Sequence, residues 1–354
     1  MQVFSRRLVA ALDHIFNLPV PIVSRNDRPE DLPSDFARHR SLCLSGRLRP
    51  QLRRFGVLNA CLRFRSCCIL STHPDFTRWL HFQKRLFNTR YLTVAHGIDV
   101  WNLRERRLTN GLKSAECVLA VSRFTRERLI QQLGNDAPPI EVFHNTFDAA
   151  RFHPGAPQID WRARLIIPKK SKVLLSVTRV ERTEEAKGYD RVLDALPSLL
   201  RTYPECVWVL AGKGNDLERV QQRAADLGVQ QACRFPGFVE DAELPDLYRS
   251  ANVFVLPSRK EGFGIVFLEA AACGLRVIAG NADGSVDALA DGALGMLIDP
   301  FDNETLVNAV QQALSEPPPD SAKLHAECVR RFGWDAFVDR TRDVLERYGL
   351  FRVA

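Results

Sequence analysis

The sequence predicts an α/β protein with two doubly wound parallel sheets. Short β-rich runs alternate with amphipathic helical segments along most of the 354 residues, a pattern typical of parallel sheets covered by helices. The alternation is interrupted once, at residues 148–171, by a basic, proline-bearing stretch without clear periodicity. We therefore expect a first domain over residues 1–150, a linker over 151–171, a second domain over 172–332, and a C-terminal helix over 333–354 that packs back toward the first domain.

Apolar runs of strand length carry this prediction. In the first half they are PVPIVS (19–24), CCILST (67–72), RYLTVA (90–95), CVLAVS (117–122) and IEVFHN (140–145). In the second half they are KVLLSV (172–177), CVWVLAG (206–212), CRFPG (233–237), NVFVLPS (252–258) and RVIAG (276–280). Because a doubly wound sheet binds ligands at the carboxyl ends of its strands, two such domains predict a site in a cleft between them.

Composition narrows the class of protein. The nine cysteines are an odd number, scattered without a Cys-x-x-Cys pair, which favours reduced thiols and a cytoplasmic protein. Asp13 and His14 break the N-terminal apolar run too early for a signal peptide. No stretch approaches the roughly 18 apolar residues of a membrane span, so we expect a soluble protein.

Positive charge is concentrated in the first half. Residues 1–150 hold 23 Lys and Arg against 13 Asp and Glu, whereas the whole chain has a net charge of +7. From Arg38 to Arg90 there are 12 bases and one acid, Asp75, and the segment RWLHFQKRLF places aromatic and basic residues on one predicted helix. Three interpretations stay open: a solvated helix face, peripheral contact with an anionic membrane that carries a lipid-linked acceptor, and nucleic acid. The last is disfavoured because the sequence has no nucleic-acid motif.

The segment EGFGIVFLEAAACG (261–274) places two carboxylates in an apolar run. It follows a predicted strand and predicts a glycine-bearing turn and then a helix ended by Gly274, and such a helix start binds phosphate. Were the span wholly helical, Glu261 and Glu269 would be about 12 Å apart, beyond the roughly 5–9.5 Å of glycosidase carboxylate pairs. The acids then suit two ends of one long ligand, such as a ribose and a transferred sugar. In the structural alternative, Glu269 lies on the outer helix face and Glu261 pairs with the helix dipole.

Two cations follow the first strand of the second domain. SVTRVERTEEAKGYDRVLDAL places Arg179 and Lys187 in a strand-to-helix loop, with Gly188 at the helix entry. Alone, such cations are usually solvated. Beside a phosphate-binding helix start in the same domain, they predict a diphosphate site.

Motifs in both halves resemble one enzyme family. In the second half these are TRVERTEEAKGYDRVLDAL, VWVLAGKGNDLERV and CRFPGFVEDAELPDLYRSANVFVLPSRKEGFGIVFLEAAACGLRVIAGNADGSVDAL; in the first they are VAHGIDVW, VLAVSRFT and VFHNTFD. They are similar to the retaining glycosyltransferases of family 4, and the resemblance spans nearly the whole chain from about residue 19. It implies the GT-B fold, in which two Rossmann-like domains face each other across a cleft. HGIDVW with DGSVDAL is a narrower signature, similar to bacterial glycosyltransferases of polysaccharide biosynthesis.

The resemblance implies a role for each residue singled out above. Glu269 matches the residue that bonds the nucleotide ribose, and Glu261 the residue that faces the donor sugar. Arg179 and Lys187 match the diphosphate-binding pair, with three more residues between them than in the shortest family members. His96, in TVAHGID at the end of a first-domain strand, matches a histidine that faces the transferred sugar.

Backbone groups complete the site that the resemblance implies. Amides around Gly262, Phe263 and Gly264 would contact the donor, and the backbone near Phe238 and Val239 would meet the base. The implied reaction is sugar transfer from a nucleotide-diphosphate sugar to an acceptor hydroxyl with retention at the anomeric carbon. Cations and a helix start would stabilise the departing diphosphate. Since the chain has no Asp-x-Asp, His-x-x-x-His or Cys-x-x-Cys motif, we expect no metal and no cofactor besides the donor substrate.

The start of the sequence departs from the family. Members open with a strand and a glycine-rich loop, whereas MQVFSRRLVAALDH already predicts the helix that follows them. In a sheet of order 3-2-1-4-5 the opening strand is central, so without it the neighbouring strand edges lose their partner. Either the true start lies upstream, or the chain is a truncated, weakly active or inactive protein with a binding or scaffold role. A sugar-nucleotide epimerase or a phosphorylase of the same fold is disfavoured by the Glu-x7-Glu spacing.

Overall fold

The chain divides into two compact units, each described here by itself. The first comprises Met1–Phe143 and Phe337–Ala354, and the second comprises His144–Ala336, so the chain crosses between units twice. Residues 151–171, the linker of the sequence prediction, lie within the second unit. The computed structural model describes residues 2–24, 39, 41–43 and 68–350.

The first unit contains short parallel strands and helices. Its described strands are β1 (Ile22–Ser24), β2 (Ser41–Cys43), β3 (Cys68–Ser71), β4 (Arg90–Ala95), β5 (Cys117–Ala120) and β6 (Ile140–Val142). Its described helices before the first crossing are α1 (Gln2–Phe16), α2 (Thr77–Phe87), α3 (Arg106–Lys113) and α4 (Arg123–Leu133).

The second unit alternates strand and helix more regularly. Its strands are β7 (Val173–Val177), β8 (Val207–Ala211), β9 (Cys233–Gly237), β10 (Val253–Leu256), β11 (Arg276–Gly280) and β12 (Met296–Ile298). Its helices are α5 (Trp161–Arg164), α6 (Tyr189–Thr202), α7 (Leu217–Asp226), α8 (Leu244–Ser250), α9 (Ile265–Ala272), α10 (Ser285–Ala288), α11 (Asn303–Ser315) and α12 (Ser321–Phe332). A last helix, α13 (Trp334–Arg347), contains the second crossing.

The described strands of the first unit form two separate parallel sheets. β1 pairs with β2, and β3, β4, β5 and β6 pair in that order. Among the described strands β3 pairs only with β4, so its other edge is without a described partner. Much of the basic segment between Arg38 and Arg90, residues 44–67, lies outside the described residues.

Aromatic packing joins the first and last helices inside the first unit. Phe4 and Leu8, one helical turn apart on α1, are buried. The ring of Phe4 lies edge-on to Phe143 and Phe337, with centroids 6.2 and 6.0 Å away. Arg90 at the start of β4 donates a hydrogen bond of 2.6 Å to the carbonyl of Tyr348. The part of α13 after the second crossing is therefore held against the first unit's own sheet.

The second unit has one sheet of six parallel strands in the order β12-β11-β10-β7-β8-β9. β10 is buried along its whole length, as expected for a strand covered by helices on both faces. Because β7, β10 and β11 are neighbours and parallel, their carboxyl ends lie along one edge of the sheet. The loops that contain Lys187 and Glu261 start at this edge.

Two parallel-sheet α/β domains are what the sequence predicted, and the fold class is confirmed. Each apolar run named above contains a strand of the structure. The sequence analysis missed β2 and β12, which have three residues each. No described helix combines the length and the apolar character needed to cross a membrane.

Candidate active site

A polar site of the second unit lies where β7 and β10 end. Lys187 Nζ is 2.5 Å from Glu261 Oε1, and the two side chains are only 17% and 12% exposed. The pair joins two loops that are 74 residues apart in sequence. The structure thus brings together two of the residues predicted from the sequence.

Glycine at position 188 makes this approach possible. Gly188 has a positive φ of 87°, and a Cβ at this position would lie 2.3 Å from the carbonyl oxygen of Pro257. The backbone N–H of Arg259 also donates a hydrogen bond of 2.8 Å to the carbonyl of Ala186. A side chain at position 188 would separate the Lys187 loop from the loop after β10, so glycine is required by space as well as by conformation.

The start of α9 follows the same loop. Gly264 precedes the helix with a φ of 87°, and a Cβ there would lie 2.4 Å from the ring of Phe267. The ring of Phe263 is buried between His144 and Phe332, with both centroid distances 5.7 Å. Since that side chain points into the protein, the backbone N–H groups around it are the groups that remain for a ligand. Free N–H groups at a helix start favour an anion.

Glu269 lies on α9 beyond this start and is mostly surrounded by protein. The hydroxyl of Tyr248, itself fully buried, donates a hydrogen bond of 3.1 Å to Glu269 Oε2. Burial raises the pKa of Glu269 to about 7, and the hydrogen bond from Tyr248 and the cation of Arg151 oppose this rise. The alternative of a solvent-facing Glu269 on the outer helix face does not match this environment.

Arg179 is placed differently from the pair. Its side chain is 73% exposed and forms an ion pair with Glu184. Glu184 lies at a kink in the short 3-10 segment Arg182–Lys187, between Arg179 and Lys187. The structure does not bring Arg179 to Lys187 or Glu261, so its assignment to the diphosphate stays a prediction.

Lys213 and Phe238 lie close together in the loops that follow β8 and β9. The side chain of Phe238 is half exposed, and Lys213 Nζ lies 4.7 Å from its ring centroid. A cation over an aromatic face is attracted by the ring quadrupole. Val239 is buried, so at this position only the backbone is available to a ligand. The sequence analysis missed Lys213 because its only signal was AGKGN, a weak loop motif.

His96 belongs to the first unit, at the carboxyl end of β4. Its Nε2 lies 2.9 Å from the carbonyl oxygen of Thr72, and its backbone N–H is 3.1 Å from both carboxylate oxygens of Asp99. Because a carbonyl only accepts, we assign the imidazole proton to Nε2, which leaves Nδ1 as an acceptor. Burial lowers the pKa of His96, so the ring is neutral at neutral pH.

The described residues contain no group of three or more His, Cys, Asp or Glu side chains that could hold a metal ion. Two groups of the second unit that the sequence analysis did not select touch the predicted residues: Tyr248, which donates to Glu269, and Asp283, which accepts from the backbone of Glu261. Tyr248 gave no signal in the sequence. Asp283 lies in DGSVDAL, a motif recognised there only as a family signature.

Two family models match consecutive parts of the chain. The model described as Glycosyltransferase Family 4 matches residues 7–151, and the model described as Glycosyl transferases group 1 matches residues 157–331. Among curated relatives, the GDP-mannose-dependent alpha-(1-6)-phosphatidylinositol monomannoside mannosyltransferase of Mycolicibacterium smegmatis is 34% identical over 64% of this chain and 62% of its own length. The matched segment thus covers less than two thirds of that relative.

Solved structures share the fold at low sequence identity. Sucrose-phosphate synthase from Thermosynechococcus elongatus has a TM-score of 0.79 and 22% identity, covering 98% of this chain and 93% of its own. Anabaena HepE in complex with UDP-glucose has a TM-score of 0.75 and 18% identity, covering 97% of this chain and 94% of its own.

Two parallel-sheet α/β domains with these structural neighbours define the GT-B class. With both family models matched in order along its length, the chain belongs to glycosyltransferase family 4.

Proposed function

We propose that this chain is a retaining glycosyltransferase that moves a sugar from a nucleotide-diphosphate sugar to an acceptor hydroxyl, in the synthesis of a cell-surface polysaccharide or glycolipid. The observation that carries the proposal is the Lys187–Glu261 pair, held at 2.5 Å where the loops after β7 and β10 meet. A cation, a carboxylate and a helix start on neighbouring loops suit a ligand with a diphosphate in its middle and hydroxyl groups at its end.

Lys187 and the start of α9 would bind the departing diphosphate. Negative charge develops on the bridging oxygen as the bond to the sugar breaks, and a fixed ammonium with free backbone N–H groups stabilises that charge. Both groups are already placed by Gly188 and Gly264, so little reorganisation accompanies the step. This electrostatic role requires no metal, and activity that survives excess EDTA would support it.

Glu261 would exchange its partner when the donor binds. In the structure its carboxylate neutralises Lys187. A diphosphate carries more negative charge than one carboxylate and would take the ammonium for itself. Glu261 would then accept hydrogen bonds from hydroxyls of the transferred sugar, and at the other end Glu269, fixed by Tyr248, would accept those of the ribose.

The similar proteins differ in the donor base and sugar that their names give. One relative is named for GDP-mannose and one structural neighbour contains UDP-glucose, so neither base is favoured. Thermal stability measured with UDP-, GDP- and ADP-sugars tests this directly. A rise in Tm with one nucleotide series, followed by release of that nucleoside diphosphate in the presence of acceptor, supports the proposal.

A binding or scaffold role is the second candidate, and one observation favours it. The first unit's described strands form two separate sheets, and the edge of β3 is unpaired among them. The same nucleotide panel separates the two candidates. No rise in Tm with any nucleotide would favour the scaffold, whereas binding without turnover would indicate a catalytically inactive family member.

We further propose that the protein acts in the cytoplasm and contacts an anionic membrane peripherally through α2. On this helix Phe82, Leu86 and Phe87 are each more than half exposed, and the neighbouring Arg85 is exposed as well. An apolar ridge beside a cation is a pattern of helices that lie in a membrane interface. Lys84 adds less charge than its position suggests, because Glu116 pairs with it at 2.5 Å.

Sedimentation with vesicles tests this contact. The double variant Phe82→Ser/Leu86→Ser should bind vesicles with 30% phosphatidylglycerol at least about threefold more weakly than the unmodified protein. Ile130→Ser, at an exposed apolar residue of another first-unit helix, is the matched control. Equal binding by all three proteins would contradict the membrane assignment of α2.

A further inference from the structure

Asp283 is a buried carboxylate in the loop after β11, with 3% of its surface exposed. Its Oδ2 accepts hydrogen bonds from the backbone N–H of Glu261 at 2.7 Å and from the hydroxyl of Ser258 at 2.8 Å. Its Oδ1 accepts from the backbone N–H of Ser285 at 2.9 Å. A buried carboxylate is costly unless such donors satisfy it, so the loop geometry and the acid depend on each other.

The next residue holds Glu261 from its other side. The backbone N–H of Gly284 donates a hydrogen bond of 2.9 Å to the carbonyl of Glu261. A Cβ at position 284 would lie 2.2 Å from the carbonyl oxygen of Gly262, so only glycine permits this approach. Asp283 and Gly284 therefore fix both peptide groups that flank the Cα of Glu261.

The serine hydroxyls fix the orientation of the Asp283 carboxylate. Ser258 Oγ donates to Asp283 and lies 3.1 Å from Ser285 Oγ, and both serines are fully buried. Since the one proton of Ser258 is used toward Asp283, Ser285 must be the donor in the second contact. The carboxylate is thus held by groups that follow two different strands, β10 and β11.

With its backbone fixed on both sides, Glu261 has only its side-chain torsions left to adjust. Those torsions place Oε1 against Lys187 in this structure. The same restriction would apply after a diphosphate takes Lys187, because none of the bonds to Asp283 or Gly284 involves the Glu261 carboxylate. The carboxylate would then reach the sugar from a backbone position that does not change.

We propose that Asp283 is a positioning residue, which holds the backbone of Glu261 so that its carboxylate meets the transferred sugar in the reactive geometry. This inference depends on the function proposed above, in which Glu261 contacts that sugar. Because only 3% of its surface is exposed, Asp283 itself would touch neither the sugar nor the nucleotide. Its loss should therefore slow transfer without weakening the binding of a nucleoside diphosphate that lacks the sugar.

The test compares kcat with nucleoside diphosphate affinity in two variants. A displacement of about 1 Å can slow an enzyme about 100-fold, so we expect about that loss of kcat in Asp283→Ala. The Kd of the matching nucleoside diphosphate should change less than about twofold. Asp283→Asn keeps the volume and one acceptor, and since neutral acceptors are weaker, its kcat should be intermediate. If Asp283→Ala does not fold, the loss of kcat in Asp283→Asn tests the proposal.

Ser176→Ala controls for lost stability. Ser176 Oγ accepts from Trp208 and donates to Val255 in the core of the same unit, so its loss lowers Tm without touching the Glu261 loop. Two results would overturn the positioning role, provided that Glu261→Gln is slow in the same assay. One is an unchanged kcat in both Asp283 variants. The other is a loss of kcat in Ser176→Ala as large as that in the Asp283 variants. Absence of any nucleotide-sugar binding or transfer by the unmodified protein would instead overturn the proposed function, and this inference with it.

Discussion

The two units differ in how completely the described residues build a ligand site. In the second unit, Lys187, Glu261 and Asp283 come from three loops that follow neighbouring strands, and Glu261 bonds directly to both of the others. In the first unit, His96 is held by its own strand end and by Thr72, and the described strands fall into two sheets. The diphosphate is the same in every nucleotide-diphosphate sugar, and the unit proposed to bind it holds its polar residues by direct contacts among them.

The largest expected effect is at the centre of the second unit. Lys187→Ala should lower kcat/KM about 10³-fold, because a preplaced cation at the departing diphosphate is lost. Steady-state transfer with the donor found in the nucleotide panel measures this. Lys170→Ala, which removes an exposed ammonium from a turn of the same unit, is the matched control. Full activity in Lys187→Ala would show that the pair with Glu261 is only structural.

His96→Ala tests the first unit by the same assay. We expect about a tenfold loss of kcat, the size of one hydrogen bond to a substrate hydroxyl. The nucleoside diphosphate Kd should stay unchanged, because His96 belongs to the unit that is not expected to bind the nucleotide. His81→Ala, at a histidine of α2 in the same unit whose ring contacts Ser114, is the control. Weaker binding of the nucleoside diphosphate by His96→Ala would contradict the proposal that the second unit alone binds the nucleotide.

Glu261→Gln should separate ground-state binding from transfer. Removing the negative partner leaves Lys187 uncompensated, so a nucleoside diphosphate should bind about fivefold more tightly, or about 1 kcal/mol. Transfer should nevertheless slow, because the sugar loses its carboxylate. Isothermal titration calorimetry measures the first quantity, with the exposed Glu240→Gln as control. Weaker nucleoside diphosphate binding would show that Glu261 and the diphosphate do not compete for Lys187.

Glu269 should give the smallest effect, a pH dependence of stability. Burial raises its pKa from 4.5 to about 7, so the folded chain keeps a proton that the unfolded chain releases. The free energy of unfolding contributed by this group therefore falls as pH rises from 4.5 through 7. When the pH is raised from 5 to 8, the Tm of Glu269→Gln should fall by about 2 °C less than the Tm of the unmodified protein. Identical losses would contradict a buried, protonatable Glu269.

The sequence was sufficient for the fold class and for selecting Lys187 and Glu261, because strand alternation and the position of a residue just after a strand are both local signals. It did not predict that the two side chains pair with each other. It was insufficient for Asp283 and Tyr248, because their roles arise only when β11 and α8 pack beside β10 and α9. β12 has three residues, too few for a periodic pattern.

Arg179 shows the limit of matching a residue by its motif. The residue type and the strand end fit a diphosphate site, yet Glu184, in the 3-10 segment of the same loop, supplies the guanidinium with a partner of its own. An ion pair within a loop changes which groups a guanidinium can reach, and the motif alone did not reveal this one. The same loop still delivers Lys187, because Gly188 fixes the end of the turn against Pro257.

The ring of Phe263 has a consequence for variants far from the chemistry. It packs against His144, the first residue after the chain enters the second unit, and against Phe332, four residues before the chain leaves it. Thr146 also donates a hydrogen bond of 2.8 Å to the carbonyl of Phe332, which ties the entering and leaving segments together. Substitutions in either passage of the chain would therefore act on the backbone N–H groups beside Phe263, and a screen for altered donor affinity should recover changes there as well as at the polar residues.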